Sequence, residues 1–295
     1  MTFDLDNMNI NIEKEEAQTM EYTYNGKRYM YKISKSGEFY NEIVAEKIAN
    51  RLDIPCCHYI LTHYNDKTGV STELFDRTNY IDLYYILKCV YGKVTYHGLL
   101  DEKRHDYKYK TKNNLEDIWY ALDTVFATRK NSQEIVADLM SKIVKVFLFD
   151  MIIANSDRHA ENIGFIVTEN SVDLAPLFDN DFMLSEFALY DHDYSVYVEG
   201  NDYLTTNEFI NRDNNKKYSN TLEKFFNISA TEYEDEIKEM LEAISKESLE
   251  DIFSELEQED VYIPQLIKNK MIDNLSFNKK YIEDFLAKKN NSIKH

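Results

Sequence analysis

Ala154-Asn-Ser-Asp157-Arg158-His159-Ala-Glu161-Asn162-Ile-Gly164 is the stretch on which the reading of this chain turns. Polar and ionisable side chains crowd together here, at the end of the most apolar part of the sequence. Upstream, Gln133–Ile153 reads as a long helix, capped by Asn131 or Ser132. Downstream, Ile163–Val167 and Val172–Leu174 read as short strands around the turn Thr168–Ser171. Leu174-Ala-Pro-Leu-Phe178-Asp179-Asn-Asp181 then sets another acid after an apolar strand.

Toward the N-terminus the pattern changes to strands. Met20–Tyr24 and Arg28–Ile33 flank Asn25-Gly26, a strong hairpin signal. A helix follows over about Gly37 to Leu52, with Phe39, Ile43, Ile48 and Leu52 near helical period and Pro55 as its stop. Cys57–His63 and Gly69–Phe75 read as two more strands joined by the turn Asn65–Thr68. After that the signal is mainly helical. Tyr80–Tyr91 is one candidate, and Leu115–Phe126 another, with Ile118, Trp119 and Leu122 along one face. Ile237/Met240/Leu241/Ile244 and Leu249/Ile252/Phe253/Leu256 mark two amphipathic helices, with Ser248 and Asp251 resembling a capping box between them. Pro264 opens a last helix, Gln265–Leu286. The expected organisation is α+β: a small antiparallel sheet with one helix over residues 1–76, then a larger, mainly helical lobe over 77–295.

Composition narrows the classes. The 295 residues carry 34 basic and 53 acidic side chains, for a net charge of −19, and 43% are hydrophobic. That is a globular composition whose charge argues against a general nucleic-acid or anionic-membrane binder. Residues 231–260 alone hold 13 acids and two lysines. This reads as the solvated face of packed helices. Cys56, Cys57 and Cys89 form neither a disulfide framework nor a zinc set, which fits a reducing cytoplasm. The opening Met1-Thr-Phe-Asp-Leu-Asp lacks the blocks of a signal peptide, and Ile143–Ala154 is too short and charged to span a membrane.

Phosphoryl transfer from Mg-ATP needs an acid to orient the attacking hydroxyl and accept its proton. It needs oxygen ligands for Mg²⁺, a strand lysine for the phosphates and a helix glutamate to position that lysine. In protein kinases the base precedes a metal-binding Asn by five residues, and a second metal-binding Asp follows a hairpin. Asp157, Asn162 and Asp179 occur in that order and at about that spacing. Lys32 ends a strand, and Glu42 lies on the next helix, with Glu46 one turn further as the alternative.

These segments resemble the core of the HipA-like serine/threonine kinases, closest to compact members without a long N-terminal extension. The resemblance rests on Asn155–Phe165 and Leu174–Asn180, and extends to Glu73-Leu-Phe-Asp-Arg77, the helix Gly37–Pro55 and Leu115–Leu122. It covers about residues 17 to 185. It implies a two-lobed protein-kinase-like fold and a kinase of protein Ser/Thr hydroxyls that uses ATP and Mg²⁺. Asp157 is then the base, Asn162 and Asp179 the metal ligands, and Lys32 the phosphate contact with Glu42 as its partner. Glu73, Leu74 and Phe75 form the hinge at adenine. His159 is a candidate to touch the transferred phosphate, or else a histidine bonded to the loop backbone. The resemblance also brings in a toxin-like or secreted-effector role, a translation-related protein substrate, and an antitoxin or other regulator as partner.

The chain departs from the family pattern in three places. Glu161 stands where members often have Lys, which passes the cationic role to Arg158 or His159. The phosphate-covering loop is expected near Lys14–Thr19, yet it lacks Gly and carries Glu15 and Glu16. Thr19 is its one candidate for self-phosphorylation. Lys103–Lys112 interleaves cations with tyrosines and reads as a solvated loop or a docking patch, and the polar stretch Asp191–Asn214 lies where kinases keep activation segments. Three other readings stay open: a pseudokinase, suggested by Glu15, Glu16 and Glu161; a small-molecule or lipid kinase, because the Asp-Arg-His-x-x-Asn loop also resembles phosphoinositide kinases; and a metal-dependent hydrolase using Asp157 and His159. No DNA-binding motif is evident.

Overall fold

In a computed structural model, the structure describes residues 2–33, 39–92, 94–95, 98–99, 115–155, 158–181, 183 and 233–293. Asp157, the Lys103–Lys112 patch, Asp191–Asn214 and the first residues of the predicted helix at Gly37 lie outside these.

Asn25 and Gly26 take φ values of 50° and 77°, so a two-residue turn joins β3 (Thr19–Tyr24) to β4 (Lys27–Ile33). Both centres are left-handed, as a turn matched to strand twist requires. The β5 (Tyr59–Tyr64) to β6 (Lys67–Glu73) connection uses the same device at Asn65 and Asp66, φ 49° and 59°. It is two residues long rather than the expected four. Two further strands, β1 (Thr2–Asp4) and β2 (Asn11–Glu15), complete a six-stranded sheet of order β1-β5-β6-β4-β3-β2. All neighbours are antiparallel except the parallel edge pair of β1 and β5. The strand β2 occupies the start of the segment read as a phosphate-covering loop. What remains is a tight turn closed by the Glu16 N–H donating to the Thr19 carbonyl at 2.8 Å.

One face of this sheet is closed by its own aromatic cluster. Phe3, Met20, Tyr22, Tyr29, Tyr31 and Ile60 are buried together, with the Tyr22 and Tyr29 rings stacked at 5.4 Å. The other face packs on helix α1 (Phe39–Arg51), the continuation of the predicted segment. Helix α1 buries Asn41, Glu42 and Glu46 along with Ile43, Val44 and Ile48, so its inner face carries polar groups into the molecule.

Below the sheet, α4 (Ser132–Ile153) is the post of the helical part. Its C-terminal run from Val146 to Ile153 is buried all round, as befits a core helix rather than a surface one. Its N-cap is Asn131, in a left-handed conformation and without a side-chain cap bond. Helix α2 (Leu83–Tyr91) begins three residues later than expected, because Tyr80–Asp82 form β7 and pair with β10 (Gly164–Val167). On its other side β10 pairs with β11 (Val172–Leu174). A small hairpin, β8 (Val94–Thr95) with β9 (Gly98–Leu99), leads toward α3 (Leu115–Phe126). Helix α3 buries Leu115, Ile118, Ala121 and Leu122 but leaves Trp119 half exposed, contrary to the expected face.

The acidic region folds as α5 (Glu234–Ala243) and α6 (Lys246–Gln258), and α7 (Gln265–Ile293) follows. The capping box belongs to Ser245 and Ser248, not to Ser248 and Asp251. Helix α6 also reaches the upper lobe: Glu259, just past its end, pairs with Lys47, and Glu255 pairs with Arg51. Among the described residues no helix is long and apolar enough to cross a membrane.

Candidate functional site

The site forms where β4, α1 and the segment after β11 meet. Lys32 lies near the end of β4, and its ammonium is 2.7 Å from Asp179 Oδ1 and 2.7 Å from Asp181 Oδ2. Glu42, from the inner face of α1, stands 3.8 Å from the same nitrogen. Asn162 donates from Nδ2 to Asp179 Oδ2 at 3.3 Å. Four of the predicted residues therefore converge from segments up to 147 residues apart.

Glu42 and the main chain of residues 179–181 are held by further hydrogen bonds. Glu42 Oε2 accepts the Asn180 N–H at 2.8 Å, and the Tyr59 hydroxyl accepts the Asp179 N–H at 3.2 Å. Asn41 donates to the Asp181 carbonyl at 2.7 Å. Glu46, the alternative lysine partner, faces elsewhere: it accepts the Tyr59 N–H at 2.8 Å and contacts His58 Nδ1 at 2.7 Å.

One ammonium facing three carboxylates leaves the site electron-rich. Burial, together with the charges of Asp179 and Asp181, pushes Glu42 up to about 8, against the pull of Lys32 and the Asn180 N–H. Asp179 moves the other way. Burial raises it, but Lys32, Arg158 and His159 outweigh burial and hold the carboxyl below the ordinary range. Lys32 is raised as well, since the three acids overcome the cost of desolvating it.

Glu42, Asp179 and Asp181 bring carboxylate oxygens within 4.8 Å of one another, and the Asn162 amide lies beside Asp179, facing it with its nitrogen, so that a turn of the amide would be needed to offer its oxygen. These are hard oxygen donors, the set that suits Mg²⁺ rather than a soft metal. The residues thus fit the expected ion, and Asp181 joins the predicted pair. Its sequence signal was position alone, two residues past Asp179 in the quoted motif.

His159 is buried, and its main-chain carbonyl accepts the Asn162 N–H at 3.0 Å. Arg158 is wholly buried and spends its donors on protein acceptors, which does not favour it over His159 for the cationic role expected of one of the two. Asp150, its partner on α4, and Tyr59 gave no sign in the sequence of any part in the site.

At the segment expected to be the hinge, the Glu73 carboxylate turns outward to Lys27 at 2.7 Å, and the Leu74 N–H donates to the Arg28 carbonyl at 2.8 Å. The Phe75 ring lies 5.5 Å from Tyr80 and 6.4 Å from Phe178, with the Arg77 guanidinium over all three rings. Phe178 immediately precedes Asp179, so the Phe75 ring and the metal-binding candidate share one wall.

Three comparisons bear on this architecture. A search of curated proteins gave no match. Among solved structures, the Helicobacter pylori proinflammatory kinase CtkA matches with a TM-score of 0.60 and 18% identity, covering 100% of both chains. The toxin–antitoxin complex of HipA, HipB and operator DNA from Shewanella oneidensis MR-1 matches with a TM-score of 0.52 and 14% identity, over 94% of this chain and 66% of that one. At these identities the likeness is one of fold, and the fold is the expected two-lobed, kinase-like α+β arrangement. The model of the HipA-like C-terminal domain matches residues 9–252. With most of its length matched, the chain belongs to the HipA-like C-terminal domain family.

Proposed function

We propose that the chain is an ATP-dependent kinase of protein serine or threonine hydroxyls. The observation that carries this reading is the meeting of Lys32, Glu42, Asn162 and Asp179 at one point, in the chain order that phosphoryl transfer requires. Lys32 holds the phosphates of ATP, and Glu42 steadies Lys32. Asn162 and Asp179, with Asp181 beside them, hold Mg²⁺, which supplies neutralisation of the charge that builds on the transferred group. Asp157 orients the acceptor hydroxyl and takes its proton. Glu73, Leu74 and Phe75 receive adenine through backbone and ring, and His159 stands ready at the transferred phosphate. The lobes divide at about residue 76.

The family supports a toxin-like or effector role and a translation-related protein substrate, and the Shewanella complex of HipA with HipB and operator DNA supports a regulator protein as partner. We propose no DNA contact by this chain itself. A second reading, an ATP-binding module without transfer, draws on Glu15 at the end of β2 and Glu16 in the turn that leads to Thr19, the β3 residue paired with Lys32.

The test is a calorimetric titration of ATP with and without Mg²⁺ on wild type and Asp179→Asn, followed by transfer of labelled γ-phosphate to proteins. Metal-dependent binding that Asp179→Asn weakens, with label on Ser or Thr, supports the kinase. Binding without transfer selects the second reading, and no binding refutes both.

A further inference from the structure

We propose that Arg158 is a positioning residue of this site: anchored on Asp150, its guanidinium fixes the spacing between the turn that carries Asn162 and the segment that carries Asp179. The proposal deepens the kinase reading and rests on it.

A guanidinium has five N–H donors in a rigid fork. In Arg158, Nε reaches Asp150 Oδ1 at 3.2 Å and Oδ2 at 3.1 Å, and Nη2 reaches Asp150 Oδ1 at 3.1 Å. Nη1 donates to the Asn162 carbonyl at 3.3 Å and to the Phe178 carbonyl at 2.9 Å. Nη2 also donates to the Asn180 side chain. Three pieces of chain meet on one side chain: the core helix α4, the turn at Asn162 and the residues on both sides of Asp179. Asp150 is itself steadied by Asn155 Nδ2 at 3.2 Å.

The backbone at Asp179 gives these contacts a purpose. Its φ of 60° is left-handed, a conformation uncommon for a residue other than glycine although Asp tolerates it better than most, so the backbone here benefits from being held. Arg158 grips Phe178 before it and Asn180 after it, so this left-handed residue is bracketed by two bonds to the same side chain. Stability alone does not call for this pair, because apolar residues of similar volume usually do as well as a buried ion pair. The acceptors are informative too. Among the described residues, the acceptors of Arg158 other than its anchor Asp150 are Asn162 and the two neighbours of Asp179. Arg158 also follows Asp157 directly, so anchoring it restrains the chain one residue from the proposed base.

Four proteins separate positioning from packing: wild type, Arg158→Lys, Asp150→Asn, and the double variant Asp150→Leu/Arg158→Met, which removes both buried charges together. Hydrogen–deuterium exchange on ligand-free protein reads the spacing without reference to catalysis. Titration with Mg-ATP and measurement of ADP release read its consequence. In Arg158→Lys the expected result is exchange at residues 159–164 and 177–181 at least ~10-fold faster, with the β3–β4 hairpin unchanged. Transfer falls about 100-fold, the scale of a 1 Å misplacement at a reacting centre. The double variant melts near wild type yet keeps the loss of metal-dependent ATP affinity and of transfer. Should it bind Mg-ATP and transfer like wild type, the pair is packing only and the proposal is overturned; unchanged exchange in Arg158→Lys overturns it equally. A wild type that binds no ATP overturns the kinase reading and the catalytic half of this proposal, while the exchange result still decides whether Arg158 spaces the two segments.

Discussion

Replacing Glu42 with Gln should flatten the pH dependence of the ligand-free protein's stability. Glu42 is 2% exposed and sits among Lys32, Asp179 and Asp181, which together with burial set its carboxyl at about 8 against 4.5 in the unfolded chain. A carboxyl raised on folding holds its proton more tightly in the native state. The stability this confers is fully present below pH 4.5 and is lost as pH rises toward 8. The loss is about 1.4 kcal/mol per pH unit inside that window, or roughly 4 to 5 kcal/mol across it. Gln keeps an oxygen for the Asn180 N–H and cannot ionise. Asp179 does not add to the effect, because its lowered carboxyl titrates below 3.8. His58 is raised from 6.5, chiefly by its hydrogen bond to Glu46, and also loses stability with rising pH. Both proteins share His58, so their difference isolates Glu42. The assay is urea denaturation at pH 5, 6, 7 and 8 with a chelator present. Wild type should lose stability more steeply than Glu42→Gln, by about 1 kcal/mol per unit. Parallel curves would refute the placement of a protonated Glu42 beside Lys32.

Three further outcomes follow from the same geometry. A methyl at Gly69 would lie 2.1 Å from the Lys32 carbonyl oxygen, so Gly69→Ala must part β4 from β6. Chemical denaturation should register about 3 kcal/mol or more of lost stability, with weakened ATP binding. Removing Lys47 and Arg51 together breaks the pairs from α1 to Glu259 and Glu255, but these partners are partly exposed. Each should cost less than about 1 kcal/mol in the same assay, falling further at high salt. Lys32→Met leaves three acids without their cation. It should lower ATP affinity at least ~10-fold by calorimetry and lower the melting temperature more at pH 8 than at pH 5.

The sequence disclosed the parts of this molecule that local chemistry controls. Asn25-Gly26 announced its hairpin because the left-handed turn demands such residues. The convergence of Lys32, Glu42, Asn162 and Asp179 was anticipated because the proposed phosphoryl transfer constrains residue type and spacing together. The strand β2 was hidden: its Asn-Ile-Glu-Lys-Glu side chains are all exposed, so no apolar alternation marks it. The strand β1 owes its existence to a parallel pairing with residues 61–63, which no short window contains. Trp119 borders the apolar stripe of α3, and packing alone decided that Ala121 rather than Trp119 turned inward. Arg158 misled because an Arg next to a proposed base reads as a working cation. Only its contacts with Asp150, Asn162 and Phe178 reveal a buried strut.

The central claim is that this chain transfers the γ-phosphoryl group of ATP with Asp157 as base. It is tested most directly by incubating purified wild type and Asp157→Ala with ATP, with and without Mg²⁺, and measuring intact mass and ADP release. The account predicts a phosphate-sized mass gain or ADP release in wild type only, and only with the metal. Transfer at the wild-type rate by Asp157→Ala, or transfer that ignores Mg²⁺, would contradict it.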